Sequence, residues 1–261
     1  MTIKWTGSKA WLRPVFRRME ECYEPFAGSA AISLTHADKI YLNDACLPLT
    51  QMYNAMAKNK EDYLRDVNSL FNDIQNAPNP KARFYEVRNN FRLGGEKDPV
   101  AFLAILYAGF NGLWRSGPNG CNVPYGGPRN FPHDKLMLLP AERIASVTNL
   151  SWEQVKPPND TCVVYADPPF ATTFTGYNAE GFTVEDNIAL FNQLASLPNP
   201  VIISCLRTKE NEELLKERGF DFVTLGKLYR NGQRGSVKKE EILAFNDKSI
   251  QYIKFSELRT S

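Results

Sequence analysis

The chain is predicted to fold as an α/β protein: a mostly parallel sheet with helices on both faces, interrupted by a helical insertion over about residues 50–135. Three observations predict it. Short apolar runs that end in turn residues flank a helix-length segment between residues 22 and 44, which is a β-α-β rhythm. The same alternation returns from residue 161 onward. Between the two, the apolar spacing changes to the three-and-four-residue period of amphipathic helices.

In order, CYEPF (22–26) and KIYLND (39–44) read as strands, with a helix from Gly28 to His36 between them. From Leu49 to Arg92 the segments LTQMYNAMA and EDYLRDVNSLFNDIQ read as amphipathic helices, broken at PNPKA, and a further helix is expected over 98–108. Residues 109–133 are dense in Gly, Pro and Asn, interleaved with aromatics and arginine, and predict a loop or hairpin. A helix is expected around 134–146, followed by the strand TCVVYADPP, the helix VEDNIALFNQLAS, the strand PVIISC and the helix KENEELLKERG. Strands near FDFVTLG, EEILAFN and YIKF close the chain.

Composition narrows the function classes. A net charge of +2 neither demands nor excludes a polyanionic partner, because the clustering of basic residues decides that. The N-terminus MTIKWTGSKAWLRPVFRR is charged throughout and has no apolar middle, so a cytoplasmic protein is expected. The most apolar run, VAFLAILYAGF, is about half the roughly 20 residues of a membrane span and reads as a buried helix. Cys22, Cys46, Cys121, Cys162 and Cys205 contain no CxxC pair, and His36 and His133 stand in no cluster of metal-ligand spacing. Reduced, mostly buried cysteines and no metal are expected.

Four segments carry chemistry, and each has a plain structural alternative. EPFAGSAA sits where a strand turns into a helix, so free amides and the positive helix end favour a polar or anionic group there, and Gly28 allows close backbone approach. One glycine in such a turn is otherwise simply structural. Asp44, one β-α unit later, suits a ribose hydroxyl, or equally caps the next helix. WTGSK offers an indole to cover a purine or sulfonium and an amine to hold a carboxylate, or else a packing Trp and a surface Lys. VVYADPPF ends an apolar strand in Asp167, Pro168, Pro169 and Phe170. An Asp-Pro pair is ordinarily a turn, but two prolines in series stiffen the backbone and leave carbonyls without a ladder to join. Such carbonyls can face a flat, amine-bearing ligand.

WTGSK, YEPFAGSAAI, LNDA and VVYADPPF, in that order with a helical insertion before the last, resemble the Dam-type DNA N6-adenine methyltransferases of the D12 class, the alpha group. FNGLWRSGPNGCNVPYG resembles their target-recognition hairpin, FTGYNAEGF the loop after the catalytic tetrad, VIISC a later strand, and RNGQRGSVKKEEILAF the closing strand region. The resemblance implies a Rossmann-like methyltransferase sheet using S-adenosylmethionine and acting on double-stranded DNA. It implies a catalytic, cofactor-binding domain at 1–50 and 136–261, and a helical target-recognition domain at 51–135 with its hairpin at 109–133. Trp5, Lys9, Glu24, Phe26, Gly28, Asp44 and Asp167 then fall in the cofactor site. A monomer is expected, in a bacterial or phage-infected cell, with a role in repair, restriction–modification or a phage genome.

The chemistry agrees with that resemblance. Adenine N6 is a poor nucleophile because its lone pair is delocalised, so both N6 hydrogens should be bonded, to the Asp167 carboxylate and the Pro168 carbonyl, as positive charge develops on nitrogen. Phe170 would stack on a base flipped from the duplex. By the same resemblance Phe110 enters the vacated stack, and Asn111, Leu113, Arg115, Asn122 and Pro124 resemble the set that reads GATC, with Arg115 able to fork onto guanine O6 and N7. Arg129, Arg230, Arg234, Lys238 and Lys239 could contact phosphates, although each taken alone reads better as a solvated surface charge. Two residues depart from the family pattern: Phe170 stands where tyrosine is usual, and Ala30 where a second glycine is frequent. An N4-cytosine methyltransferase, which more often carries serine at the Asp167 position, and a catalytically impaired DNA-binding homologue are the alternatives; an RNA or protein-glutamine methyltransferase fits the hairpin poorly.

Overall fold

The computed structural model describes residues 2–154, 156–170, 182–225 and 240–258. After a 3₁₀ turn at Ala10–Val15, the strand β1 (Met19–Glu24) leads through a bend to a single helical turn, α1 (Ser33–His36), and on to β2 (Ala37–Asn43). Three helices follow: α2 (Leu47–Asn76), broken at Asn59, α3 (Pro80–Leu93) and α4 (Pro99–Ala108). A two-stranded hairpin, β3 (Ser116–Gly117) and β4 (Gly120–Cys121), precedes α5 (His133–Met137) and β5 (Ile144–Thr148). The remaining elements are β6 (Val163–Ala166), α6 (Val184–Ser196), β7 (Val201–Leu206), α7 (Lys209–Glu217), β8 (Asp221–Leu225) and β9 (Glu241–Phe245).

Seven strands form one sheet in the order β5-β2-β1-β6-β7-β9-β8. The first five run parallel, and β9 is antiparallel to both β7 and β8. β1 has β2 on one side and β6 on the other, so the order reverses there, and a crevice opens beyond the carboxyl ends of these strands. Both faces of the sheet are covered. Along β6, Val163 and Tyr165 belong to the core shared with the helical insertion, while Val164 and Ala166 pack with Phe191, Leu194 and Leu215 on the opposite face. That two-sided burial explains why the strand reads as an unbroken apolar run.

Three expectations are corrected. The helix expected at 134–146 stops at Met137, because Pro140 cannot continue it, and the β-branched IASVT instead forms the edge strand β5 beside β2. The helix expected from Gly28 is α-helical only over Ser33–His36, since Gly28 and Ala30 both take positive φ, near +47°, and bend the chain first. YIKF is not a strand: Tyr252 ends one 3₁₀ turn, Phe255 begins the next, and Ile253 between them makes a single bridge to Phe16.

The helical insertion is centred on α4, whose residues Ala101–Ala108 are all buried. A helix apolar all round needs a firm start. Pro99 occupies its first turn, and the Asp98 side chain accepts from the amides of Val100 at 2.8 Å and Ala101 at 3.2 Å. Among the described residues no helix is long and apolar enough to cross a membrane. Asp98→Ala should lower stability by about 1 kcal/mol, read from the denaturant midpoint at unchanged slope.

Candidate active site

The crevice beyond β1, β2 and β6 is a cleft of about 990 Å³. Its frame is the buried Asn43 at the end of β2. The Asn43 amide donates to the carbonyls of Pro25 and Leu150, both at 3.1 Å, and its oxygen accepts from Thr148 Oγ1 at 2.8 Å and Leu150 N at 3.0 Å. One side chain thereby ties the ends of three strands together.

On one wall, Asp44 Oδ2 accepts from Gly28 N and Oδ1 from Cys46 N, both at 2.9 Å. Burial pushes its pKa up, and these two amides oppose the shift. Asp44 therefore shapes the turn into α2 and lines the cleft at once. At Gly28 an added Cβ would stand 3.2 Å from Trp5 Cδ1, and Tyr53 donates to the Gly28 carbonyl at 2.8 Å. Only glycine suits that left-handed, close-approach position. Trp5 in turn leans on Phe102 of α4, with ring centroids 6.4 Å apart. Glu24, expected as a cofactor ligand, lies in the lining but accepts from Ser33 N at 2.8 Å, so it braces the turn behind Gly28.

At the end of β6, Asp167 Oδ1 receives Lys9 Nζ at 2.7 Å and the Ser204 hydroxyl at 2.7 Å. Tyr165 OH lies 3.1 Å from Ser204 Oγ and must be the donor there, because the serine proton is already directed at Asp167. Among the described residues the bonds to Asp167 fall on Oδ1. Burial opposes the Lys9 charge, but Asp167 and Glu241 outweigh it and hold the ammonium's pKa above its ordinary value. Lys9 Nζ also stands 5.4 Å from the Phe170 ring centroid. Pro168 is buried, whereas Pro169 and Phe170 are half-buried at the cleft surface.

Sequence reasoning missed the opposite wall. Leu150 and Trp152, in the segment after β5, line the cleft with Phe182, whose ring meets Phe26 at 6.1 Å and Trp152 at 6.2 Å, both edge-on. The helix expected over 134–146 hid β5 and with it the loop that any strand end contributes to such a crevice. An ammonium, a carboxylate on a tight turn, a glycine cradle and aromatic surfaces together fit an amino-acid-bearing nucleoside such as S-adenosylmethionine.

The hairpin meets the same cleft through Leu113, Trp114 and Arg115. Helix α3 and the turn after it hold it: Arg88 donates to Val123 O at 3.0 Å, Arg92 to Asn119 O at 2.6 Å, and the Glu96 carboxylate accepts from Cys121 N. Gly112, at φ +67°, leaves room for the Lys4 side chain, whose Cγ an added Cβ would approach to 2.5 Å. Phe110 is 52% exposed, Asn111 takes φ +50°, and Asn122 is exposed while Pro124 is half-buried. Arg115 Nε and Nη2 both lie 3.3 Å from Asn122 O. The Arg129 guanidinium is engaged within the hairpin, donating to Gly109 O at 3.2 Å and to Gly126 O. Arg230, Arg234, Lys238 and Lys239, and all of FTGYNAEGF except Phe182, lie outside the described residues.

Burial raises the Glu24 pKa from 4.5 to about 8. The folded protein then keeps a proton that the unfolded chain has already released, so stability should fall as pH rises from about 5 to 8. Denaturant midpoints at the two ends of that window should differ, and Glu24→Gln should flatten the difference.

The family model described as D12 class N6 adenine-specific DNA methyltransferase matches residues 5–231. A DNA adenine methylase of Vibrio cholerae is 27% identical, covering 93% of this chain and 94% of the relative. The type II methyltransferase M1.LlaDCHI of Lactococcus lactis subsp. cremoris is 30% identical, with 93% and 94% covered. The Retron Ec67 DNA adenine methylase of Escherichia coli is 29% identical over 77% of this chain and 75% of its own. With a cleft lined by Gly28, Asp44 and Asp167 to Phe170 and a family match across most of its length, the chain belongs to the D12 class N6 adenine-specific DNA methyltransferases, which take the methyl group from S-adenosylmethionine.

Proposed function

We propose that the protein methylates adenine N6 within GATC in double-stranded DNA, acting as a monomer on a base turned out of the helix. The observation that carries this reading is continuity: Gly28 and Asp44, Asp167 to Phe170, and Leu113 and Arg115 all line one cleft. A methyl donor at the glycine turn and a base delivered beneath the hairpin meet over Asp167.

Trp5, Lys9, Phe26, Gly28 and Asp44 hold the cofactor, and Glu24 braces their turn. S-adenosylmethionine, when bound, supplies an electrophilic methyl group on sulfur. The Asp167 carboxylate and the Pro168 carbonyl accept the two N6 hydrogens, draw the nitrogen toward tetrahedral geometry and stabilise the positive charge it gains. One N6 proton then leaves to solvent. Pro169 keeps this backbone stiff, and Phe170 stacks on the base and offsets part of the lost helical stacking.

Phe110 enters the gap in the duplex, and Asn111, Leu113, Arg115, Asn122 and Pro124 meet the neighbouring base pairs. Arg115 exchanges its two long bonds to the Asn122 carbonyl for guanine O6 and N7. Arg129 steadies the hairpin from within, which leaves phosphate contact to Arg230 and Lys238.

Incubation with S-adenosylmethionine and a GATC duplex should yield N6-methyladenine by nucleoside mass spectrometry. Product confined to other sequences would remove the GATC assignment, and N4-methylcytosine alone would overturn the reading. Asp167→Ala should abolish turnover while DNA affinity stays within about threefold. Arg115→Ala should weaken discrimination at one base pair by about 1–3 kcal/mol, measured by competition among single-substituted duplexes. Equal weakening on every duplex would make Arg115 a phosphate contact instead.

A further inference from the structure

The outer edge of the hairpin is held by a short series of side chains. Arg88 and Arg92 share one face of α3, and Glu96 follows in the turn that closes the helix. They meet alternate residues of the returning strand: Arg88 the Val123 carbonyl, Arg92 the Asn119 carbonyl and Glu96 the Cys121 amide. In an antiparallel pair alternate residues turn their backbone groups away from the partner, so these are groups that β3 does not reach. On the inner side, Asn122 N donates to Arg115 O at 3.0 Å.

Glu96 is the unusual member of the series. It takes φ +59°, and its amide donates to Phe91 O at 2.9 Å to complete the cap of α3. The cap alone would be served better by glycine at that φ. A glutamate kept there at a conformational cost points to a use for its side chain. Its carboxyl accepts from Cys121 N, and Gly120, with no side chain, leaves free the space that Oε1 fills. A carboxyl oxygen accepts in either protonation state.

The consequence falls on Arg115. Two short strands make a marginal hairpin by themselves, and the buried Cys121 side chain fixes only the face turned to the core. The bonds along the outer edge fix how the strand is rotated about its own axis. With it they fix the adjoining Asn122 carbonyl, on which Arg115 Nε and Nη2 both rest at 3.3 Å. A forked contact to a base edge tolerates misplacement of only about 0.5 Å.

We propose that Glu96 is a positioning residue for sequence discrimination: its carboxyl oxygen holds the Cys121 amide and thereby sets the height and tilt at which Arg115 meets its base pair. This rests on the reading of Arg115 as a base contact.

The test compares Glu96→Gln, which keeps an acceptor of the same reach, with Glu96→Gly, which relieves the left-handed backbone but removes the acceptor, in the full chain. Each is assayed for kcat and KM on the recognition duplex, for S-adenosylmethionine affinity, and for the ratio of kcat/KM between that duplex and duplexes substituted at single base pairs. Glu96→Gly should lower the ratio about tenfold at the base pair that Arg115→Ala affects, with kcat within about threefold and cofactor affinity within about twofold of the parent. Glu96→Gln should keep the ratio within about threefold. Adding Glu96→Gly to Arg115→Ala should lower the ratio no further than Arg115→Ala alone. If Glu96→Gly does not fold, Glu96→Asn replaces it, because asparagine tolerates positive φ and is one carbon too short to reach the Cys121 amide.

An unchanged ratio in Glu96→Gly, an equal loss in Glu96→Gln, or losses that add across Glu96→Gly and Arg115→Ala would overturn the proposal. The two readings separate cleanly. If Arg115→Ala lowers the ratio and Glu96→Gly does not, the base contact stands and the role of Glu96 falls; if Arg115→Ala lowers it at no base pair, the base contact falls and the role of Glu96 with it.

Discussion

The organisation of this protein follows from one ion pair, the buried Lys9 to the half-buried Asp167. A lysine only 5% exposed is tolerable when its charge is matched, because removing the partner would leave an uncompensated buried charge. To form the pair, the segment before β1 must pass over the carboxyl edge of the sheet and reach the end of β6. Ser204 from β7 and Glu241 from β9 complete the group. Four segments distant in sequence are thus brought to one carboxylate, which is also where we place the methyl transfer. The same contact closes the cleft on the side of WTGSK and leaves Phe170 beside the Lys9 ammonium.

The hairpin to which we assign recognition is mounted on separate supports. The hairpin has only two short strands and little core of its own, so its shape comes from α2, α3 and the turn before α4. Gln75 accepts from Arg129 N at 3.3 Å, while Arg88, Arg92 and Glu96 hold the backbone from Asn119 to Val123. Loops that carry function on a rigid mount can change their reading residues without disturbing the fold. The buried α4 connects the two parts: Phe102 supports Trp5 in the cleft and packs on Trp114 of the hairpin, with centroids 4.6 Å apart.

The two departures from the family pattern have different physical weight. Ala30 sits at φ +47°, a region an L side chain adopts only under strain, so the frequent family glycine there has a conformational reason. The methyl group is fully buried, which recovers part of that cost. Phe170 keeps a ring at the cleft surface, 5.4 Å from Lys9 Nζ, where a cation favours an aromatic face with or without a hydroxyl.

The sequence by itself determined the α/β class, the helical insertion, and the turns that carry chemistry, because Gly28, Asp44 and ADPPF restrict local backbone and offer donors and acceptors whatever surrounds them. It also determined where α4 begins, through Asp98 and Pro99. What it left undecided depended on partners far along the chain. Whether 134–146 was a helix or held a strand turned on Pro140 and on a vacant edge beside β2; the cleft wall of Leu150 and Trp152 followed from that choice. Asn43, Glu241 and Ser204 carry no motif, and the bonds by which Glu24 braces the turn behind Gly28 and Arg129 holds the hairpin join residues that no sequence pattern pairs. Local chemistry is written in short stretches, but which lone pairs and charges are already satisfied is a property of residues that only the tertiary structure brings within hydrogen-bond range.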